Sequence, residues 1–95
     1  METEEEYRAK QEELGKELVG ENRKYYLDYR VLQDGSLALL VELAFTRAIC
    51  LGATELSPFT TNRYCYADRN KATEIFQKLQ SEDDILEGYT ATRKG

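Results

Sequence analysis

The chain has 95 residues, a net charge of −5, two cysteines and no histidine. This length suits one small domain with a single core. Without histidine, the commonest general base near neutral pH and the commonest metal ligand are missing. No apolar run is long enough to span a bilayer. The acidic start, Met-Glu-Thr-Glu-Glu-Glu, is the opposite of a basic signal peptide, so we expect a cytoplasmic protein that does not bind membranes.

Charge is distributed unevenly along the chain. Residues 1–22 carry a net charge of −5, residues 23–78 carry +2 and residues 79–95 carry −2. Phosphate contacts supply most of the affinity in nucleic-acid binding, which makes a net-acidic chain a poor general binder of nucleic acid. An acidic chain is better suited to a basic protein surface. We therefore expect a protein partner with such a surface.

Residues 3–20 are predicted to form a helix. Thr3 and Glu6 have the spacing of a capping box, and an acidic first turn suits the helix dipole. Gln11 interrupts a thin apolar stripe, and Gly15 costs about 1 kcal/mol in a helix interior. The stripe has three members: Tyr7, Leu14 and Leu18. Two interpretations stay open, a solvated and partly frayed arm or a helix that docks on a partner.

An Asp-Gly pair separates two alternating segments, residues 24–32 and 37–45, and predicts a β-hairpin. A two-residue loop would set the apolar side of one strand against the polar side of the other. A three-residue loop, with Gly35 in the left-handed region, keeps all apolar partners on one face. The predicted pairs on that face are Val31–Leu37, Tyr29–Leu39, Leu27–Val41 and Tyr25–Leu43, with Phe45 on the same side.

The opposite face of this hairpin is predicted to be mixed and exposed. It carries Tyr26 and Arg30 on the first strand. One rival to the hairpin stays open, a helix over residues 37–51 that Ser36 would cap and Gly52 would close.

The remaining segments predict a short sheet followed by a helix. Residues 48–51 and 63–67 are predicted strands, with a bend or bulge at Gly52 and a loop over residues 57–62. Asp68 is a good N-cap for a helix over residues 69–80. The apolar residues of that helix recur at helical spacing: Ala72, Ile75, Phe76 and Leu79.

The predicted fold is therefore α+β: an N-terminal helix, an antiparallel sheet of three or four strands and a C-terminal helix packed on one sheet face. The expected organisation is a single domain. Its four parts are an acidic helical arm (1–22), the sheet (23–68), a helical region (69–86) and a tail or edge strand (87–95).

The sequence offers little catalytic chemistry. Cys50 and Cys65 are expected to be reduced core residues, and either thiol would lack an imidazole partner as a nucleophile. The acid clusters at 4–6 and 82–84 lack the alternate spacing and the glycine of a calcium loop. No phosphate-binding glycine motif occurs. We expect no enzyme activity, no metal and no cofactor.

Tyrosine is the informative residue type, with seven copies and no tryptophan. The rings either rim the core or form a contact patch, since tyrosine is favoured at protein interfaces. The predicted partner-binding residues are Glu4, Glu5, Glu6, Tyr26, Arg30, Tyr64 and Tyr66.

These features predict a small non-enzymatic, acidic protein-binding module that inhibits a larger partner such as a nucleic-acid-binding enzyme. In size and charge the chain is similar to small inhibitors that phages and mobile elements encode, including anti-CRISPR proteins. The alternative is a single-stranded nucleic-acid binder that uses the tyrosine and arginine side chains of the sheet. A homodimer through an edge strand or the first helix also stays open.

Overall fold

A five-stranded antiparallel sheet lies between two helices in the computed structural model, which describes residues 3–53, 62–81 and 83–93. The elements are α1 (Glu4–Glu21), β1 (Tyr26–Val31), β2 (Leu37–Glu42), β3 (Arg47–Ala53), β4 (Asn62–Tyr66), α2 (Arg69–Lys78) and β5 (Ala91–Arg93). The strands are neighbours in chain order. The predicted α+β fold is confirmed. The sheet has one strand more than the expected three or four, because β5 pairs with β4 at the edge.

The predicted three-residue loop joins β1 to β2. Val31 pairs with Leu37 and Tyr29 with Leu39, as expected for this loop length. Gly35 has φ 85°, and its N–H donates to the Leu32 carbonyl at 2.9 Å. The hairpin prediction is confirmed, and the rival helix over residues 37–51 is wrong because this segment forms β2 and most of β3.

One part of the predicted register is wrong. Val41 pairs with Tyr26 and not with Leu27, because β1 has a bulge between Tyr26 and Asp28. Side chains alternate between the two faces of a strand, so one extra residue reverses the faces beyond it. Tyr26 therefore lies on the face opposite to Arg30, and Leu27 is 37% exposed.

A second bulge occurs where it was predicted, at Gly52. Leu37 pairs with Ala53 and Ala38 with Leu51, so Gly52 is the extra residue, with φ 91°. The predicted loop over residues 57–62 falls almost wholly outside the described residues; of it, Asn62 begins β4.

Both faces of the sheet are buried, which corrects the expectation of one exposed face. On the face covered by α2, the core consists of Leu32, Ala38, Leu40, Ile49, Leu51, Tyr66, Ala72, Phe76, Leu79 and Leu86. On the face covered by α1, the core consists of Leu18, Leu37, Leu39, Val41, Ala48, Cys50, Ala53 and Cys65. Both cysteines are free and buried, as predicted. The expected helix on one face is present, and a second helix covers the other.

The first helix is docked on the sheet, so its interpretation as a solvated arm is wrong. Gln11, which interrupts the apolar stripe, is 2% exposed, and its side-chain amide donates to the Ala53 carbonyl at 3.3 Å. The Arg8 guanidinium donates to the Leu32 carbonyl at 3.0 Å and to the Gln33 carbonyl. Polar contacts at these two positions therefore add to the thin apolar stripe in holding α1 on the sheet.

Gly15 lets the ring of Tyr29 lie directly against α1. A Cβ atom at position 15 would lie 2.6 Å from Cγ of Tyr29, closer than real Cβ contacts. The Tyr29 hydroxyl donates to the Glu12 carboxylate. This hydrogen bond raises the pKa of Tyr29 to about 12, because ionisation would remove the bond and place two negative charges side by side.

We predict opposite effects for alanine at two glycines of α1. Gly15→Ala should lower the free energy of unfolding by roughly 1–3 kcal/mol, because the new methyl group overlaps the Tyr29 ring. Gly20→Ala is the matched control: no atom lies within 4 Å of its added Cβ, so it should raise stability by about 0.5 kcal/mol. Urea unfolding measures both changes. Stabilisation by Gly15→Ala would show that α1 does not pack on Tyr29.

Candidate protein-binding surface

Two of the predicted binding residues lie between the sheet and α2, Tyr66 buried and Arg30 half-buried. Tyr66 is 1% exposed, and its hydroxyl donates to the Glu87 carbonyl at 3.2 Å. Arg30 places its guanidinium 5.9 Å from the ring centre of Phe76 and donates to the Phe76 carbonyl. The expectation that these side chains face solvent on an open sheet is wrong, because α2 occupies that face.

The other two sheet residues are half-buried and lie on opposite faces. Tyr26 packs edge to face with Tyr25 on the α1 side, with ring centres 4.7 Å apart. Tyr64 packs against Tyr89, 5.3 Å away, on the α2 side. Burial raises the pKa of Tyr26 and of Tyr66. The structure therefore does not bring Tyr26, Arg30, Tyr64 and Tyr66 together into one patch.

The three predicted acids of the first helix are exposed. Glu4, Glu5 and Glu6 form the first turn of α1, where Thr3 Oγ1 accepts from the Glu6 N–H at 3.1 Å. Glu4 pairs with Arg8 at 3.4 Å, and the Glu4 side chain remains 79% exposed. Negative charge at this position is stabilised by the helix dipole.

The fold brings a second group of acids to the same end of the molecule. Arg8 ties the first turns of α1 to the Leu32 carbonyl, at the start of the β1–β2 turn. From the other side, Ser81 donates its hydroxyl to the Asp34 carboxylate at 2.8 Å. The Gln33 N–H also donates to the Gln80 carbonyl at 2.9 Å. The first turn of α1 and Ser81 therefore flank one turn of the hairpin.

We call this region the acidic end. Its carboxylates are Glu4, Glu5, Glu6, Asp34, Asp83 and Asp84. Asp84 is held in place, since its carboxylate accepts from the N–H groups of Gln80 (2.9 Å) and Ser81 (3.3 Å). Arg8 pairs with Glu4 and Lys78 lies beside Asp84, and the six carboxylates outnumber these two bases.

A surface pocket opens beside Asp84. Its volume is about 270 Å³. Its lining residues are Ile75, Lys78, Leu79, Asp84, Ile85 and Leu86. Ile85 stands at the rim and is 89% exposed. The acidic end thus combines carboxylates with an open pocket that is partly apolar.

The opposite end of the sheet carries an exposed phenylalanine. β2 ends at Glu42, and Phe45 lies in the turn to β3, where it is 88% exposed. Its predicted position on the apolar side of the second strand is wrong, because the chain turns before it. The Leu43 N–H donates to the Thr46 carbonyl at 2.9 Å and closes this turn.

Ion pairs tie the same turn to the start of α2. The Glu42 carboxylate accepts from Arg47 at 3.0 Å and from Arg69 at 2.9 Å. Arg69 also donates to the Ala44 carbonyl at 3.2 Å, and Arg47 donates to the Thr73 hydroxyl at 2.9 Å. The hydrogen bond from Arg47 lowers the pKa of Glu42, with a further contribution from Arg69.

We call this region the basic end. Its bases are Arg23, Lys24, Arg47, Arg69 and Lys71, and its acids are Glu21, Glu42, Asp68 and Glu87, whose carbonyl accepts from the Tyr66 hydroxyl. The segment that carries Arg23 and Lys24 lies beside the end of β2, since the Tyr25 carbonyl accepts from the Glu42 N–H at 2.8 Å. The molecule is therefore electrically polar along the strand direction.

Comparisons of the chain with protein-family models, with curated proteins and with solved structures gave no match. Within residues 3–53, 62–81 and 83–93, no cluster of three or more metal-ligating side chains occurs. No helix in that part of the chain has the length and apolar character needed to cross a membrane.

We predict that Glu42 stabilises the domain in a pH-dependent way. Glu42→Gln should lower the free energy of unfolding by about 1 kcal/mol at neutral pH, because Arg47 and Arg69 lose their anionic partner. The pKa of Glu42 is depressed, so its contribution is complete above the ordinary value of 4.5 and is lost as the pH falls through the lower folded-state value. The exposed Glu74, exchanged for Gln, is the control. A difference between wild type and Glu42→Gln that persists at low pH would contradict the assignment.

Proposed function

We propose that this chain is a non-enzymatic protein-binding module of the cytoplasm, and that its acidic end docks on a basic surface of a larger protein. One observation carries the proposal. The fold gathers carboxylates from three separate segments, the start of α1, the β1–β2 turn and residues 83–84, around a single end.

Gathering the charges matters because salt screens each of them. At physiological ionic strength the screening length is about 8 Å, so the carboxylates of one end act together mainly on a partner surface that lies directly against that end. Their combined field raises the association rate with an oppositely charged surface. It also orients the encounter, because the basic end is repelled from the same surface.

The pocket beside Asp84 adds an apolar contact to this field. A few apolar or aromatic side chains that fill pockets contribute most of the binding energy of a protein interface, and charged groups surround them. Leu79 and Leu86 provide apolar walls, and Asp84 lines the pocket beside them. The partner that fits has a basic surface with a protruding apolar side chain.

We further propose that the partner is a nucleic-acid-binding enzyme that the module inhibits. The grooves of such enzymes are lined with lysine and arginine that contact phosphates. A protein end with six carboxylates would occupy that groove and exclude the substrate. This is the mode of action expected from the likeness in size and charge to anti-CRISPR proteins.

The alternative, a binder of single-stranded nucleic acid, would need the tyrosine rings of the sheet in one patch. Stacking needs tyrosine rings with one face free. Tyr66 is buried under α2, Tyr64 packs on Tyr89, and Tyr26 lies on the other side of the sheet. We therefore do not propose it.

Two charge-reversal variants test the acidic end. One changes Glu4, Glu5 and Glu6 to lysine, and its matched control changes Glu13, Glu17 and Glu21, which are also exposed residues of α1. Both variants change the net charge by the same amount. The first variant should associate with the basic partner about tenfold or more slowly than the wild-type chain at low salt, whereas the control should have a much smaller effect on this rate. Thermal unfolding verifies that both variants are folded.

The probe is a panel of purified RNA-guided nucleases, each bound to labelled DNA. Displacement of the DNA by the wild-type chain, measured as a loss of fluorescence anisotropy, should weaken with added salt and with reversal at residues 4–6. Equal displacement by both variants would contradict docking through the acidic end. Single-stranded RNA and DNA in a filter-binding assay at low salt check the rejected alternative.

A further inference from the structure

The two most exposed large apolar side chains of the described residues stand at opposite ends of the domain. Phe45 is 88% exposed and Ile85 is 89% exposed, whereas the other exposed large hydrophobic side chains reach only 37–41%. Scattered apolar side chains are normal on protein surfaces. These two are unusual because one protrudes from a turn and the other stands at the rim of an apolar pocket.

Phe45 is presented by a turn that the fold holds in place. The Leu43–Thr46 hydrogen bond closes the turn, and Arg69 binds the Ala44 carbonyl while it pairs with Glu42. A side chain on such a turn loses little backbone freedom when it is bound. Phe45 therefore has the geometry of an interface anchor.

The pocket at the other end has the size and lining for one such anchor. Its volume of about 270 Å³ is below the usual range for drug-sized ligands, which favours a single side chain as the occupant. The walls include the apolar side chains of Ile75, Leu79 and Leu86. An aromatic ring in an apolar pocket is a common hot spot of protein interfaces.

Charge selects a second copy of this chain as the partner. Phe45 lies at the basic end, where Arg69 donates to the neighbouring Ala44 carbonyl, and the pocket opens beside Asp84. Lys78 also lines the pocket, but Asp84 and its chain neighbour Asp83 outnumber it. When Phe45 of one copy meets the pocket of another, opposite charges approach each other.

We propose that copies of this chain bind head to tail, with Phe45 of one copy in the Ile75–Leu79–Leu86 pocket of the next. The contact uses two different surfaces, so it is heterologous. It leaves a free Phe45 at one end of the dimer and a free pocket at the other. Further copies can add, and the mean assembly size grows with protein concentration and falls with salt.

Two exposed-site variants test the proposal, since neither removes a core contact. Phe45→Ser removes the anchor, and Ile85→Lys places a positive charge at the pocket rim, where the basic end of the next copy arrives. In sedimentation velocity from micromolar to millimolar concentration, the wild-type chain should associate. Each variant alone should weaken self-association by about tenfold or more.

The decisive measurement is an equimolar mixture of the two variants. Phe45→Ser retains an intact pocket and Ile85→Lys retains an intact anchor, so the mixture should form a one-to-one dimer and nothing larger. A wild-type chain that stays monomeric throughout would overturn the proposal. So would a mixture that stays monomeric while the wild type associates, because that result would place the contact elsewhere.

Leu27→Lys is the control for a different contact. Leu27 is 37% exposed at the bulge of the edge strand β1, and it takes no part in the proposed contact. If copies paired through the β1 edge, this charge would disrupt them, and the head-to-tail arrangement would be wrong. Unchanged association of Leu27→Lys, with loss in Phe45→Ser, supports the proposed arrangement.

Discussion

The close approach of the Tyr29 ring to Gly15 determines where α1 lies. Any side chain at position 15 would hold the helix away from β1, and the Tyr29 hydroxyl would then lose Glu12. With α1 in place, the face that carries Leu39 and Val41 is buried and Gln11 reaches the Ala53 carbonyl. A glycine that lowers helix propensity is therefore compensated by a contact that no other residue permits.

The position of α1 also creates the charge polarity of the molecule. Its N-terminus lies at the β1–β2 turn, and the C-terminal end of α2 lies at the same turn on the other face of the sheet. The acids that stabilise the first turn of α1 thereby join Asp34, Asp83 and Asp84. If α1 were detached, the same glutamates would form a separate arm, and the two acid clusters would not act on a partner as one field.

The sequence predicts the local features of this fold better than its layering. Loop length, the left-handed Gly35 and the Asp68 cap follow from short-range rules, and the structure confirms them. The bulge at Leu27 was not predictable from alternation, since one extra residue leaves no mark in a Tyr-Leu-Asp-Tyr pattern. That bulge moved Tyr26 off the predicted patch.

The burial of both sheet faces did leave a signal in the sequence. The segments 37–41 and 48–51 are continuously apolar, which is typical of strands covered on both sides, and Leu40 and Leu51 indeed pack under α2. The sequence predicts only part of the candidate site. The acids of α1 are visible in the sequence, whereas the position of the second group of acids is not. The approach of Asp34 to Ser81, 47 residues apart, depends on the whole chain being folded.

The two proposed contacts share the acidic end but use different parts of it. Glu4, Glu5 and Glu6 lie on the α1 side of the sheet, and the pocket that would receive Phe45 lies on the α2 side. A large basic partner that covers this end would cover both. Such a partner and a second copy would therefore compete, and by mass action a tightly bound partner would break head-to-tail assemblies into single copies. Assemblies that are not bound to the partner would then supply single copies as the partner binds, because every dissociated copy exposes the acidic end.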